Sequence, residues 1–151
     1  RLSLVGSEMC IRDRYWVNRW NLAVDKPVVF YVDTLLPEKW QKCVYRSAEI
    51  WNKSFQKIGF SNALDVKPYP KDIGFDANSI TKSCIRYVVS PSGQITDNYW
   101  SDPLTGEIIS ANIYIPHNLA SKIQLNYFLQ TASFNEKART LMPDEDLLLI
   151  R

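Results

Sequence analysis

The sequence has few of the residues from which metal and redox sites are built. It contains one histidine, His117, in 151 residues, so a site with two histidine ligands cannot be made within the chain. The three cysteines, Cys10, Cys43 and Cys84, have no CxxC spacing, which excludes a zinc ribbon and a thioredoxin-type redox pair. The GxSxG, P-loop and GxGxxG motifs are also missing. The chain therefore carries no complete catalytic or cofactor motif.

Charge of one sign and long apolar runs are lacking as well. The 18 Lys and Arg against 16 Asp and Glu give a net charge of +2 with no basic run, which argues against a nucleic-acid or membrane-surface binder. No apolar run approaches the roughly 20 residues of a membrane span. The 46% of hydrophobic and 13% of aromatic residues are instead typical of a folded domain. The length fits a single domain.

The first fourteen residues are interpreted separately from the rest. They show no hydrophobic period of 2 or 3.6, and residues 4–14, LVGSEMCIRDR, match the translation of a common transposase-type sequencing-library adapter. Residues 1–14 are therefore taken as an adapter-derived artefact and excluded from the fold assignment, together with Met9 and Cys10. Residues 15–151 are analysed as natural sequence.

Residues 37–59 show the clearest helical pattern. Pro37 suits the first helical position, and Gly59 is placed to end the helix in a left-handed conformation. Apolar and small residues recur at steps of three and four, which predicts a single core-facing stripe. The stripe consists of Trp40, Val44, Ser47, Ala48, Trp51, Phe55 and Ile58.

Five short segments have strand patterns. They are residues 28–32, 63–67, 84–89, 95–100 and 107–115. The turn residues between the last two predict a hairpin, and the polar composition of residues 95–100 predicts a sheet edge. A second helix is predicted over residues 119–134, with Asn118 as its cap. We predict an α+β fold in which one long helix packs on a mixed, twisted sheet of about five strands.

Isolated polar residues provide weaker candidate sites. His117 lies between a strand and a helix, where it could be a ligand, a general base or a helix-flanking hydrogen bonder; the absence of a second histidine favours the last. Asp72 and Asp76 flank a glycine, and residues 144–146 are acidic at the start of an apolar segment, but neither set has EF-hand spacing. A disulfide between Cys43 and Cys84 is left open.

Several segments, taken in order, resemble one protein family. They are NRW at residues 18–20, VVFYVDTLLPEKWQKCV, AEIWNKSFQKIGF, CIRYVVSP, DPLTGEIISANIYIPHN and MPDEDLLLIR. In this order and spacing they resemble the N-terminal half of the catalytic domain in large, secreted bacterial zinc-dependent metalloproteases of the metzincin type. The resemblance covers residues 15–151. It implies a metzincin-like sheet, an incomplete catalytic domain that stops before the zinc-binding helix, and a secreted or periplasmic location.

The resemblance implies a parent enzyme that hydrolyses peptide bonds with zinc-activated water. In that family the next helix carries HExxHxxGxxH, which supplies three histidine ligands and a glutamate base. None of these residues occurs here, and His117 matches none of them, so this part is expected to have no catalytic residue, no zinc site and no activity of its own. By the family pattern, the motif would begin about one to two helical turns beyond Arg151.

The resemblance also implies a strand that binds a peptide or protein substrate. In metzincins an antiparallel edge strand above the zinc pairs with the extended substrate through main-chain hydrogen bonds. Here that position is occupied by Thr96, Asp97, Asn98, Tyr99 and Trp100. Residues 97–100 are larger than is usual in the family, so a plain edge strand without a ligand is the alternative interpretation.

A rival function from another class is a non-catalytic module that binds protein or polysaccharide. It would use the aromatic side chains Trp16, Trp20, Tyr99 and Trp100. This hypothesis predicts a complete domain that binds its ligand as it stands, whereas the protease hypothesis predicts incomplete folding and no stoichiometric zinc. The sequence alone sets neither the cleavage specificity nor the oligomeric state.

Overall fold

The computed structural model describes residues 17–23, 26–71 and 74–142. In chain order these residues form β1 (Val28–Val32), α1 (Glu38–Gln56), β2 (Leu64–Pro68), β3 (Ser83–Val88), β4 (Thr96–Ser101), β5 (Ile108–Pro116), α2 (Leu119–Thr131) and a short 3-10 helix (Glu136–Arg139). The predicted α+β class is confirmed. Residues 1–14, Trp16, Asp72 and the acidic residues 144–146 lie outside the described part, so the predictions for them are not examined by this structure.

The five described strands form one mixed sheet in the order β2-β1-β3-β5-β4. Strands β2, β1, β3 and β5 pair in parallel, and β4 alone runs antiparallel, beside β5. The β4–β5 connection is a tight turn in which the Asp102 carboxylate accepts hydrogen bonds from Leu104 N (2.8 Å) and Thr105 Oγ1 (3.0 Å). Gly106 follows with φ of 73°, a conformation that glycine adopts without strain. The predicted hairpin is confirmed.

Helix α1 lies over one face of the sheet. It begins directly after Pro37, and its last regular residue is Gln56. Two tighter turns follow, in which Ile58 N donates to Phe55 O and Gly59 N to Gln56 O. Gly59 then adopts φ of 98°, the left-handed conformation expected at this position. The regular helix is therefore a little shorter than the predicted 37–59.

The core is built where the first half of α1 meets the sheet. Its buried residues are Val32, Leu36, Trp40, Ile85, Ile115, Leu119 and Ala120. Trp40 is 5% exposed and packs edge-on against Tyr87, with ring centroids 6.1 Å apart. The prediction that the whole stripe is core is wrong for Ser47, Trp51 and Ile58, all of which are exposed, the last two by 60% and 69%. Trp51 lies on the open side of a groove between α1 and the sheet that Leu64 and Val66 also line, and Ile58 follows the last regular residue of the helix.

The opposite face of the sheet is covered by the loop between β2 and β3. The Phe75 ring packs against Tyr31 and Tyr69, with centroids 5.0 and 5.1 Å apart. The Ser110 hydroxyl of β5 donates to Ile80 O at 2.5 Å. The loop therefore provides an aromatic second layer on this face of the sheet.

Two local predictions are corrected by the structure. Asn118 stands at the N-cap of α2, but its side chain makes no cap hydrogen bond, because its ψ of 14° is near-helical and not the extended conformation that capping requires. Helix α2 ends at Thr131 and not near Phe134.

Cys43 and Cys84 are not joined by a disulfide. Cys43 lies on α1, whereas Cys84 alternates with the core residue Ile85 in β3 and so points to the opposite face of the sheet.

Candidate functional site

Strand β4 forms one outer edge of the sheet. It pairs with β5 from Thr96↔Tyr114 to Ser101↔Ile108, and no described strand lies on its other side. Residues 96–100 are all exposed. The sequence prediction of an edge strand is confirmed. The five candidate residues lie together on one extended segment whose outer main-chain groups face solvent.

The side chains of β4 stand on both faces of the sheet and leave its outer edge uncovered. The register places Asp97 and Tyr99 on the α1 face, opposite Ile113 and Ala111 of β5. The other three residues lie on the loop-covered face, where Asn98 Nδ2 is 3.5 Å from Tyr114 Oη. Tyr99 Oη also accepts a hydrogen bond from Asn18 Nδ2 at 2.9 Å. Strand β4 is therefore held in place through its inner edge and its side chains.

The regular part of β4 is about five residues long. A register shift between Trp100 and Ser101 ends the uniform pairing with β5. Five residues at about 3.3 Å each span about 17 Å, a length suited to an extended peptide of similar size. Residues 96–101 include neither proline nor lysine, and Asp97 is their one charged residue. Proteins commonly block exposed edges with proline or lysine, and β4 has neither.

An apolar groove lies between α1 and the sheet, near the start of β4. It has a volume of about 350 Å³. Its walls are Phe30, Trp40, Cys43, Val44, Ser47, Ala48, Trp51, Leu64, Val66, Ile85, Ile95, Ile113, Ile115 and Leu119. Its polar side-chain atoms are those of Ser47 and Cys43 and the indole N–H groups of Trp40 and Trp51, so the groove is suited mainly to apolar contact and not to acid–base chemistry.

The isolated polar candidates have local structural roles. His117 is exposed in the turn between β5 and α2, where its main-chain N donates to Val88 O at 3.0 Å. Asp76 Oδ1 accepts from Asn78 N at 2.8 Å, which is the geometry of an Asx turn. Within residues 17–23, 26–71 and 74–142, no three His, Cys, Asp or Glu side chains are placed to hold a metal. This part of the chain does not fit a zinc ion.

The aromatic residues of the rival hypothesis do not converge on one surface in the described part of the chain. Trp20 is partly buried and packs edge-on against Phe30, with centroids 6.0 Å apart. Tyr99 and Trp100 are consecutive residues of β4, so their side chains point to opposite faces of the sheet. Trp16 lies outside the described residues.

A semi-buried polar cluster on the loop-covered face was missed by sequence reasoning. Burial and the neighbouring Cys84 and Asp33 raise the pKa of the Tyr69 hydroxyl, and burial raises the pKa of the Cys84 thiol. A thiol with a raised pKa stays protonated near neutral pH and is a poor nucleophile. Asp33 accepts from Leu35 N at 3.0 Å and from Tyr87 N at 3.4 Å. The Tyr69 hydroxyl is buried and has no hydrogen-bond partner within the described part of the chain. No local sequence signal brings these residues together.

Comparisons with known proteins identify no relative of this chain. No protein-family model, no curated protein and no solved structure matches it. In the part of the chain that the structure describes, no helix has the length and apolarity needed to cross a membrane. Any functional assignment therefore depends on the residues themselves and on their arrangement.

Proposed function

We propose that this chain is the substrate-binding part of a zinc-dependent endopeptidase of the metzincin type. The ordered sequence motifs suggest the enzyme class. The observation that carries the proposal is the open outer edge of β4, the one antiparallel strand of the described sheet. An open antiparallel edge is what main-chain recognition of an extended peptide requires.

Strand β4 would bind substrate by adding it to the sheet. The outer N–H and C=O groups of residues 96–100 would pair with the main chain of the peptide, at about 0.5–1.5 kcal/mol net for each hydrogen bond. Alternate side chains of the peptide would then lie beside those of β4. The carboxylate of Asp97 on the α1 face favours a basic neighbour, and the half-exposed Trp100 on the other face favours an apolar one.

The described residues position the substrate and do not perform the chemistry. Zinc, when bound by the parent enzyme, would supply the activated water. Because the described part does not fit the metal, we assign no chemical step to its residues. Their role is to hold the peptide extended and in register. A peptide held in this way loses less entropy when it reaches the geometry of the reaction.

The enzyme class is tested by the source DNA. We expect the roughly thirty codons that follow Arg151, about eight helical turns, to encode HExxH. A stop codon, or an open reading frame without HExxH, would contradict the assignment to metzincins. This observation is independent of whether β4 binds peptides.

The binding role of β4 is tested by two proline variants, Asp97→Pro and Asn98→Pro. Consecutive residues of an edge strand direct their N–H groups alternately to the partner strand and to the outer side. The variant that removes the N–H facing β5 should break pairing with that strand and lower the Tm. The variant that removes the outward N–H should keep the wild-type Tm. It should weaken the binding of extended peptides at least tenfold in a fluorescence-polarisation titration.

The matched control for this test is Asn98→Ala, which keeps the main-chain donor and should bind peptides like the wild type. A folded proline variant that binds as tightly as the wild type would rule out the edge of β4 as the binding site. That result would leave the test of the enzyme class untouched.

A further inference from the structure

The outward side of α1 carries a straight row of positive charge. Five exposed cations recur at steps of three, four and seven residues, which places them within about 60° of one another around the helix axis. The last follows the first by eighteen residues, so the row is about 27 Å long. It lies opposite the side of α1 that packs toward the sheet. This basic row consists of Lys39, Lys42, Arg46, Lys53 and Lys57.

The basic row is not neutralised within the described part of the chain. None of its five side chains makes an ion pair with a carboxylate there. Glu38 and Glu49 lie together on one flank of the row, so residues 38–57 carry five cations against two carboxylates. This segment alone has a net charge of +3, whereas all 151 residues together have +2. The near-neutral total therefore conceals one concentrated basic surface.

Helix stability does not account for the basic row. Like charges at steps of three and four repel each other, as in the pairs Lys39–Lys42 and Lys42–Arg46. Lys39 also lies in the first turn of α1, at the end of the helix dipole that disfavours a cation. Lys53 and Lys57 stand near the C-terminus, where a cation is favoured. The first half of the row therefore weakens the helix, which points to a role in binding.

We propose that the basic row binds a linear acidic polysaccharide, whose carboxylate or sulfate groups follow one another along a single chain. The row is one side chain wide, and Glu38 and Glu49 stand beside it. A flat anionic surface such as a membrane would press against both carboxylates, whereas a single polymer chain can follow the row and avoid them. A chain that contacts several exposed cations at once gains affinity from their number, although each contact is weak.

The side chains between the cations distinguish this ligand from other linear polyanions. Single-stranded nucleic acid binds by stacking on aromatic side chains as well as by charge, and no aromatic residue lies in the row. Protein interfaces depend on an apolar and aromatic centre. The large apolar side chain in the row is that of Ile50, which stands alone between Arg46 and Lys53 and is 52% exposed. A partner that brings charge and hydroxyl groups fits this surface best.

The basic row includes no residue of β4, so the proposal is independent of the proposed function. It is tested with the full chain by isothermal titration calorimetry against polygalacturonate, dextran sulfate and neutral dextran at low salt. We expect binding to the acidic polymers and none to neutral dextran. The two acidic polymers show whether carboxylate or sulfate is preferred.

The triple variant with Lys42→Gln, Arg46→Gln and Lys53→Gln removes the charge from the middle of the row. It should bind the acidic polymers at least about tenfold more weakly than the wild type, because fewer cations contact each chain. Added salt should weaken binding of the wild type more steeply than binding of the variant, which has fewer charges to screen. The substituted residues are exposed, so circular dichroism and the Tm should match the wild type.

The matched control removes three exposed charges that lie off the row, through Lys26→Gln, Lys71→Gln and Lys137→Gln. It lowers the net charge by the same amount and should change the affinity by less than about twofold. A variant with Lys42→Arg and Lys53→Arg keeps the charge of the row and should bind like the wild type.

Three results would overturn the proposal. Equal losses of affinity in the two triple variants would show that net charge alone drives binding. Wild-type binding to single-stranded DNA or to phosphatidylserine vesicles that is as tight as binding to the acidic polymers would show that the row does not select a polysaccharide. No binding of the wild type to either acidic polymer would show that the row is only a solvated face of the helix.

Discussion

The two edge strands of the sheet differ in how their outer main-chain groups are covered. Strand β2 forms one edge and is parallel to its neighbour; β4 forms the other and is antiparallel. Both are short and both carry polar residues. The edge at β2 is tied to α1 at its start and ends in a proline, whereas no described strand or side chain covers the edge at β4. The comparison indicates where a further strand can be added.

The closed edge is the one at β2, where the Asn52 side chain of α1 makes hydrogen bonds to the main chain at the start of the strand. Asn52 Oδ1 accepts hydrogen bonds from Ala63 N (3.1 Å) and Leu64 N (2.9 Å), and its Nδ2 donates to Leu64 O at 2.8 Å. At the other end of β2, Pro68 has no N–H to offer, and Tyr69 N donates to Val32 O at 3.0 Å. The outer main-chain groups of Leu64 are therefore used, and the last outer position of β2 has no N–H.

The β4 edge has no comparable protection. Within the described residues, the side-chain hydrogen bonds of Asn98 and Tyr99 go to Tyr114 and Asn18, and these leave the outer main chain accessible. Exposed edges of this kind invite pairing with another extended segment. A sheet that protects one edge and leaves the other open is consistent with a binding role for β4.

The largest expected effect is at the closed edge. Asn52→Ala removes four hydrogen bonds, three of them to the main chain of residues 63 and 64, and leaves those partly buried groups without partners. We therefore expect a loss of about 2–4 kcal/mol in the free energy of unfolding. Asn98→Ala, on the open edge, should change it by less than about 0.5 kcal/mol. Urea denaturation measures both. Similar losses of unfolding free energy in Asn52→Ala and Asn98→Ala would contradict the view that the β2 edge is held more firmly than the β4 edge.

An intermediate effect is expected from Tyr69, which anchors the end of the closed edge. Its pKa is raised in the folded state, so its stabilising contribution is present below its ordinary pKa of about 10 and is lost as the pH rises above it. Cys84, also with a raised pKa, adds a loss of the same sign from about pH 9.

The variant Tyr69→Phe should keep its stability at pH 7 and lose less of it between pH 10 and 12 than the wild type. Because Tyr69 is only partly buried, the difference in slope should be below the roughly 1.4 kcal/mol per pH unit of one full proton. Thermal unfolding across this pH range measures it. Identical alkaline slopes in wild type and variant would show that ionisation of the Tyr69 hydroxyl does not contribute to the loss of stability.

The smallest expected effect concerns the charge pair on β2. Lys67 Nζ lies 2.9 Å from Asp65 Oδ2, and this hydrogen bond raises the pKa of Lys67. The lysine is solvent-exposed, so Lys67→Met should leave the urea midpoint at pH 7 unchanged within error. Any contribution would be present below about pH 10.4 and lost at higher pH. A clear midpoint shift at pH 7 would mean that surface charge, and not Asn52, closes this edge.

Local patterns predict the elements that depend on neighbouring residues. The strands, the Asp102 to Gly106 turn and the edge position of β4 follow from alternation and turn chemistry within a few residues. The Asn52 contact with β2 was not predicted, because it joins residues eleven and twelve positions apart through tertiary packing. The exposure of Trp51 was mispredicted for the same reason. Helical periodicity defines a face of α1 but not how closely that face packs on the sheet.

Hydrogen exchange at β4 tests the central claim most directly. The exchange rates of individual amides are measured by NMR for the full chain, with and without an excess of an extended peptide that carries basic and aromatic side chains. The account predicts that alternate amides of residues 96–100, those facing outward, become protected while the amides of β2 are unchanged. Protection that is absent from β4, or that appears at β2 instead, would contradict it.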